Sequence, residues 1–165
     1  MLNHTCCVTG HRGVPIGQIE FVRRRLREEL SDAIAQGFTR FLSGYAEGVD
    51  QLFAELVIEE MKKNPQIQLE AALPYRERFM RLLFNPKTKP LIQAAGKVTV
   101  SCEEYSPGSF HIRNHYMVLE SSRVIAVHDG RQAGGTAATL RYAYAKQREV
   151  KEIVVKGNGE LRIEN

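Results

Sequence analysis

The sequence predicts an α/β fold of Rossmann type, with a mainly parallel sheet and helices on both of its faces. Three observations support this prediction. The 165-residue chain has the usual length of one domain, short β-branched runs alternate with segments of helical spacing, and no linker or low-complexity tract divides it. We therefore expect residues 1–165 to form a single domain.

Six runs rich in β-branched residues are the predicted strands, each bounded by Gly, Pro, Asn or Asp. They are Thr5 to Thr9, Phe38 to Leu42, Ile67 to Leu73, Lys97 to Cys102, Arg123 to Val127 and Glu152 to Val155. Because the three cysteines include the adjacent pair Cys6 and Cys7, they form a poor disulfide framework and give no metal-site spacing. We interpret them as small apolar strand residues.

Five helical segments separate these strands. In the first, apolar residues from Ile19 to Ala33 recur at steps of three and four, which is typical of an amphipathic helix that covers a sheet. The third is short, because Pro86 and Pro90 interrupt it. The other segments begin near Val49, Phe110 and Thr136. In a sheet built from such βαβ units, ligands bind outside the carboxyl ends of the strands.

The composition argues against several classes of protein. No apolar run approaches the roughly 20 residues that span a bilayer, so we expect a cytoplasmic protein without membrane partners. The net charge of +4 permits an anionic partner but is too small to require nucleic acid. The arginines between Arg23 and Arg27 are followed directly by acidic residues, which favours a solvated helical face over a nucleic-acid patch.

Three strand-to-helix turns are candidate phosphate-binding loops. The first contains Gly10, His11 and Arg12, and either forms an ordinary turn or directs its basic groups into the crevice. The second contains Ser43, Gly44, Gly48 and Asp50 and leads into a helix, whose free amides can bind an anion. Asp50 either caps this helix or contacts a ribose hydroxyl.

The third turn is the strongest candidate and opens the last helix. It carries Asp129, Gly134, Gly135 and Thr136, where two glycines leave backbone amides accessible and the threonine hydroxyl caps the helix or binds the same oxygen. Arg113 and Asn114, near the start of the fourth helix, can direct a cation and an amide towards the same crevice. The sequence lacks a Walker loop and a GxGxxG motif, which argues against P-loop NTPases and dinucleotide dehydrogenases.

Taken together, TGHR, SGYAEGVD, RNHYMVLESSRVIAVHDG and GGTAATLRYA resemble the YpsA-like branch of the SLOG superfamily, which also includes DprA/Smf and LOG proteins. The resemblance runs from about Thr9 to Ala145. It implies a Rossmann-like fold and a pocket for a nucleotide or an ADP-ribose-like ligand. The carried-over pocket residues are Gly10, His11, Arg12, Ser43, Gly44, Gly48, Asp50, Arg113, Asn114, Gly134, Gly135 and Thr136.

Catalysis is harder to predict from the sequence. LOG enzymes carry a glutamate three residues after the threonine of their glycine motif, whereas this chain has Thr139 there, which argues against LOG-type removal of ribose phosphate. Glu47 is a weak candidate for a general base in nucleotide or N-glycosidic hydrolysis. His111 and His115 share a helical face, but no third ligand is evident, so we predict no metal site.

The leading functional hypothesis is a protein that binds a phosphate-containing nucleotide ligand, as a sensor or as a hydrolase. A second hypothesis is single-stranded nucleic-acid binding of DprA type. The absence of Trp and the scattered tyrosines argue against it, because such grooves stack bases on aromatic rings. A third is an interaction scaffold that has lost its ligand. The SLOG resemblance also makes a homo-oligomer plausible by analogy.

Overall fold

The computed structural model describes residues 4–156 and contains six strands and six helices. The strands are β1 (Thr5–Gly10), β2 (Arg40–Ser43), β3 (Gln68–Tyr75), β4 (Lys97–Cys102), β5 (Arg123–His128) and β6 (Glu149–Val154). The helices are α1 (Ile19–Ala35), which follows a 3-10 turn at Ile16–Gln18, α2 (Val49–Lys63), α3 (Arg76–Phe84), α4 (Lys89–Gln93), α5 (Ser109–Glu120) and α6 (Gly135–Ala145).

The boundaries differ from the sequence predictions in two instructive places. The third helical segment forms two helices, because Pro86 lies between α3 and α4, whereas Pro90 occupies the first turn of α4, where a missing N–H is tolerated. The last strand begins at Glu149 rather than Glu152. It lies at the edge of the sheet, where charged side chains can remain in solvent.

All six strands are parallel, in the order β4-β3-β2-β1-β5-β6, which confirms the predicted Rossmann-like fold. The chain first builds outward from β1 through β2 and β3 to β4, and then returns to the other side of β1 to form β5. The loops that follow β1 and β5 therefore leave in opposite directions. This reversal opens a crevice at the carboxyl ends of these two strands, the usual ligand position in such sheets.

Helices cover both faces of the sheet, because successive strand residues point to opposite sides. Cys6 and Val8 pack into a large core with residues of α1 and α2, whereas Cys7 packs against Met117 and Val118 of α5. The three cysteines are free thiols. Between residues 4 and 156, no helix combines the length and the apolar character that a bilayer crossing requires.

The amino ends of the strands hold buried charges that are paired with groups of opposite charge. Glu70 is 2% exposed, and its carboxylate accepts hydrogen bonds from Arg40 (2.6 Å), Thr99 (3.0 Å) and the Tyr116 hydroxyl. Burial raises the pKa of Glu70, but these three donors outweigh it, so the pKa lies below its ordinary value. Because Tyr116 belongs to α5, the cluster also fixes that helix on the sheet.

We expect Glu70→Gln to destabilise the protein by about 1–3 kcal/mol at pH 7, because it removes charge-assisted hydrogen bonds from a buried cluster. A carboxyl group with a depressed pKa contributes its stability above the unfolded pKa of 4.5 and loses it as pH falls through the folded pKa. The difference between wild type and variant should therefore shrink below pH 4.5. Urea unfolding at several pH values measures it, and a difference that is constant with pH contradicts the assignment.

Candidate functional site

A cleft of about 590 Å³ lies at the reversal between β1 and β5. Its walls come from the loops that follow these strands, from one face of α5 and from the start of α6. Nine of the residues singled out in the sequence line it: Gly10, His11, Arg12, Asp50, Arg113, Asn114, Gly134, Gly135 and Thr136. The fold thus brings together residues that are far apart along the chain.

Other predicted residues lie beside the cleft without lining it. The Ser43 hydroxyl donates to the carbonyl of Asp50 (2.7 Å) and is completely buried. Asp129 forms an ion pair with Arg131 and lies 3.2 Å from Nε2 of His11. The side chain of Glu47 is exposed and outside the cleft lining, so the geometry gives this carboxylate no role as a general base there.

Gly44 and Gly48 also stay outside the lining, because both are used for contacts within the protein. A Cβ on Gly44 would lie 2.6 Å from Nη1 of Arg113 and 2.7 Å from Oδ2 of Asp50. A Cβ on Gly48 would lie 2.3 Å from the carbonyl oxygen of Arg12, and its φ of 85° also favours glycine. These glycines allow the first and second loops and α5 to approach one another closely.

Arg113 occupies the floor of the cleft and is 4% exposed. Its Nη1 donates to the carbonyl oxygens of Gly44 (2.8 Å) and Ala72 (3.0 Å), and its Nε donates to Oδ1 of Asn114 (2.8 Å). Nη2 has no hydrogen-bond partner among residues 4–156. Burial lowers the pKa of Arg113 below its ordinary value, although Asp50 opposes this effect.

Asp50 is the acidic residue in the cleft lining, and it also orders the second loop. Its Oδ2 accepts a hydrogen bond from the backbone N–H of Ala46 (3.3 Å). Burial raises the pKa of Asp50 to about 6, with Arg113 acting in the opposite direction. The carboxyl therefore ties down the loop, and it lines the cleft as well.

Two arginines approach one aromatic ring in the cleft. The guanidinium carbon of Arg12 lies 5.3 Å from the ring centroid of Phe110, and that of Arg113 lies 5.6 Å from it. Within the described part of the chain, Arg12 has neither a hydrogen bond nor a carboxylate within 4.0 Å. Because Asp50 is the acidic side chain that the lining sets against Arg12 and Arg113, the cleft carries an excess of positive charge.

The loop between β5 and α6 differs from the other two glycine loops. A Cβ on Gly135 would meet only Nδ2 of Asn114, at 4.0 Å, and one on Gly134 would meet nothing within 4 Å. The first amides of α6 have no acceptors within the helix, and Thr136 makes no side-chain cap at this end. Backbone N–H groups here are open to a ligand in a way that those near Gly44 are not.

Sequence reasoning missed Phe110 and Met117 in the lining and overlooked an aromatic cluster beside it. Helical spacing could have identified both residues, because they lie three residues before and four residues after Arg113 on the same face of α5. Tyr75 packs edge-on against both Phe110 and Tyr105, with centroids 6.0 and 5.4 Å apart. No local pattern reveals this cluster, since tertiary packing joins the three rings.

The remaining candidates have ordinary partners. The Thr139 hydroxyl donates to the carbonyl of Gly135 (2.8 Å) within its own helix. The ring of His115 stacks on Tyr142 at 3.8 Å, and its centroid is 6.5 Å from that of His111. Among residues 4–156 there is no group of three side chains suited to a metal ion.

The Asp50 carboxyl should titrate near pH 6 in the folded protein, and Arg113→Gln should raise this midpoint by about one unit, because it removes a nearby positive charge. An acid whose pKa rises on folding makes the native state less stable as pH increases from 3.8 to above 6. Carboxyl ¹³C chemical shifts measure the midpoint. A midpoint near 4 contradicts the burial of Asp50, and a midpoint that Arg113→Gln leaves unchanged contradicts the influence of Arg113 on its pKa.

Solved structures with the same fold include DNA processing protein A from Helicobacter pylori and the structural genomics target TM1055. The first superposes with a TM-score of 0.66 at 19% identity, covering 97% of this chain and 72% of that protein. The second superposes with a TM-score of 0.59 at 19% identity, covering 88% of this chain and 71% of the other. At this identity, the likeness shows the shared fold alone.

Two proteins found by sequence comparison have higher sequence identity to this chain than these two solved structures have. The chain is 30% identical to the uncharacterized SPbeta prophage-derived protein YoqJ of Bacillus subtilis, over 72% of this chain and 80% of the relative. It is 24% identical to the UPF0398 protein BH1768 of Halalkalibacterium halodurans, over 84% of this chain and 73% of the relative. The YpsA family model, described as the YspA SLOG family, matches residues 6–156. The chain therefore belongs to this SLOG family.

Proposed function

We propose that the protein binds a phosphate-bearing nucleotide or nucleotide-derived ligand in the cleft between β1 and β5. One observation carries this proposal: the open amides at Gly134 and Gly135 line the same cleft as Arg12 and Arg113, two arginines without a carboxylate within 4.0 Å in the described chain. A helix N-terminus and unpaired guanidinium groups both favour a phosphate. Membership of the SLOG family is consistent with such a ligand.

The lining also suits the rest of a nucleotide. The Phe110 ring offers a stacking surface, and Asn114 supplies an amide whose Nδ2 makes no hydrogen bond within residues 4–156. Oδ1 of Asp50 is available to a ribose hydroxyl, because Oδ2 accepts from Ala46. We propose binding as the function, since Arg12, Arg113 and the first amides of α6 are groups that hold an anion in place.

We expect Gly135→Ala to weaken binding of AMP about tenfold or more, because the added methyl group occupies the position where a phosphate meets the helix amides. Stability should not fall, since alanine favours the helix and meets no close atom. Isothermal titration calorimetry with AMP, ADP, NAD and ADP-ribose measures binding.

Gly108→Ala is the matched control. Gly108 precedes α5 in an equally open position, and it does not line the cleft. This variant should keep wild-type affinity. If the wild-type protein shows no heat with any of the four nucleotides, the proposal is wrong.

A second candidate function is binding of single-stranded nucleic acid. The cluster of Tyr75, Tyr105 and Phe110 favours it, because Tyr105 is 61% exposed and the cluster adjoins Arg12 and Arg113. Aromatic rings beside a basic groove suit unstacked bases. The structure of the H. pylori DNA processing protein A is described in terms of its single-stranded DNA binding mode.

For this second function, Tyr105→Ala should weaken binding of a fluorescent ten-nucleotide thymidine oligomer about fivefold or more, because one stacked base loses its platform. The similarly exposed Tyr144 lies on α6 away from the cluster, so Tyr144→Ala should leave affinity unchanged. Fluorescence anisotropy between 50 and 200 mM salt measures both, and wild-type affinity should fall steeply with salt. Salt-independent affinity, or equal effects of the two variants, argues against a nucleic-acid groove.

A further inference from the structure

A second concavity adjoins the cleft at the loop that precedes α6. It is a groove of about 640 Å³ between α5 and α6. Five residues line both the cleft and this groove: Phe110, Asn114, Ala133, Gly134 and Gly135. The two spaces are therefore neighbours, and Ala133, Gly134 and Gly135 form a ridge of small residues on their shared boundary. A ligand bound in the cleft can extend into the groove over this ridge.

Arg141 gives the groove its own positive charge. It lies on α6, and its Nη1 donates to the carbonyl oxygen of Gln132 (2.9 Å), so its side chain reaches back along the helix towards the loop. The groove lining contains no carboxylate, and no carboxylate between residues 4 and 156 lies within 4.0 Å of Arg141. Exposed arginines elsewhere differ, as in the pairs Arg24–Glu28 (3.8 Å) and Arg81–Glu77 (2.7 Å).

Arg113 and Arg141 lie in different cavities. Arg113 lines the cleft and not the groove, whereas Arg141 lines the groove and not the cleft. Asn114 stands between them, because its Oδ1 accepts from Nε of Arg113 while its Nδ2 faces Gly135. The arrangement offers two separate anion contacts, with an aromatic ring and an amide between them.

We propose that the ligand carries two phosphate groups separated by a nucleoside, as in a 5′-phosphorylated dinucleotide. One phosphate lies in the cleft at the start of α6, and the other lies in the groove against Arg141. The nucleoside between them crosses the ridge at Gly134 and Gly135, where Phe110 and Asn114 of α5 line the crossing. This inference rests on the proposed nucleotide binding and adds the class of ligand.

Calorimetry with two probes, AMP and the 5′-phosphorylated dinucleotide pApA, tests the inference. Wild type should bind pApA more tightly than AMP. Arg141→Gln should weaken pApA binding about tenfold, because it removes one charge-assisted contact, and should leave AMP affinity unchanged. Arg141→Lys keeps the charge and should recover part of the pApA affinity. Arg24→Gln removes the same charge from a remote surface and should change neither affinity.

The outcomes separate the two proposals. If wild type binds AMP and pApA equally, or if Arg141→Gln weakens both probes alike, the two-phosphate ligand is wrong and simple nucleotide binding stands. If wild type binds neither probe, nucleotide binding itself fails and the inference fails with it. If Arg141→Gln weakens binding of pApA but not of AMP, and Arg141→Lys recovers part of the pApA affinity, the groove is supported as the position of the second phosphate.

Discussion

The buried guanidinium of Arg113 is the contact on which the geometry of the cleft depends. It joins α5 to the end of β2 and to the middle of β3, because Nη1 donates to the carbonyl oxygens of both Gly44 and Ala72. The approach is possible because residue 44 is a glycine, whose missing side chain leaves room for Arg113 and Asp50 together. Two charged groups are thereby held at the bottom of the cleft, where each is costly to bury and gains from a partner.

The glycine loops divide into two kinds once the fold is known. Gly44 and Gly48 lie against other parts of the protein, since a side chain on either would collide with neighbouring atoms. Gly135 faces open space beside Asn114. Similar glycine-rich patterns thus serve different purposes: one kind lets elements pack closely, and the other leaves backbone amides exposed. The second kind is what an anion-binding proposal requires.

The two ends of the sheet differ in their electrostatics. At the amino ends of the strands, Arg123 is 1% exposed and pairs with Glu149 (2.8 Å) and Asp32 (3.2 Å), and Glu70 is held by Arg40. At the carboxyl ends, Arg131 pairs with Asp129, but Arg12, Arg113 and Arg141 have no carboxylate within 4.0 Å among residues 4–156. Charges in the first group stabilise the fold by their own pairing. Those in the second group can be neutralised by a ligand that is itself anionic.

The sequence by itself determined the alternation of strands and helices, the parallel sheet and the family, because these follow from local periodicity and from short motifs such as TGHR and GGTAATLRYA. It also directed attention to the strand ends, where nine of the predicted residues line one cleft. Only the tertiary structure decided which glycines are open, that Arg12 and Arg113 both approach the Phe110 ring, and that Tyr75 meets Tyr105. Such contacts join residues distant along the chain, and they depend on packing geometry that local spacing does not encode.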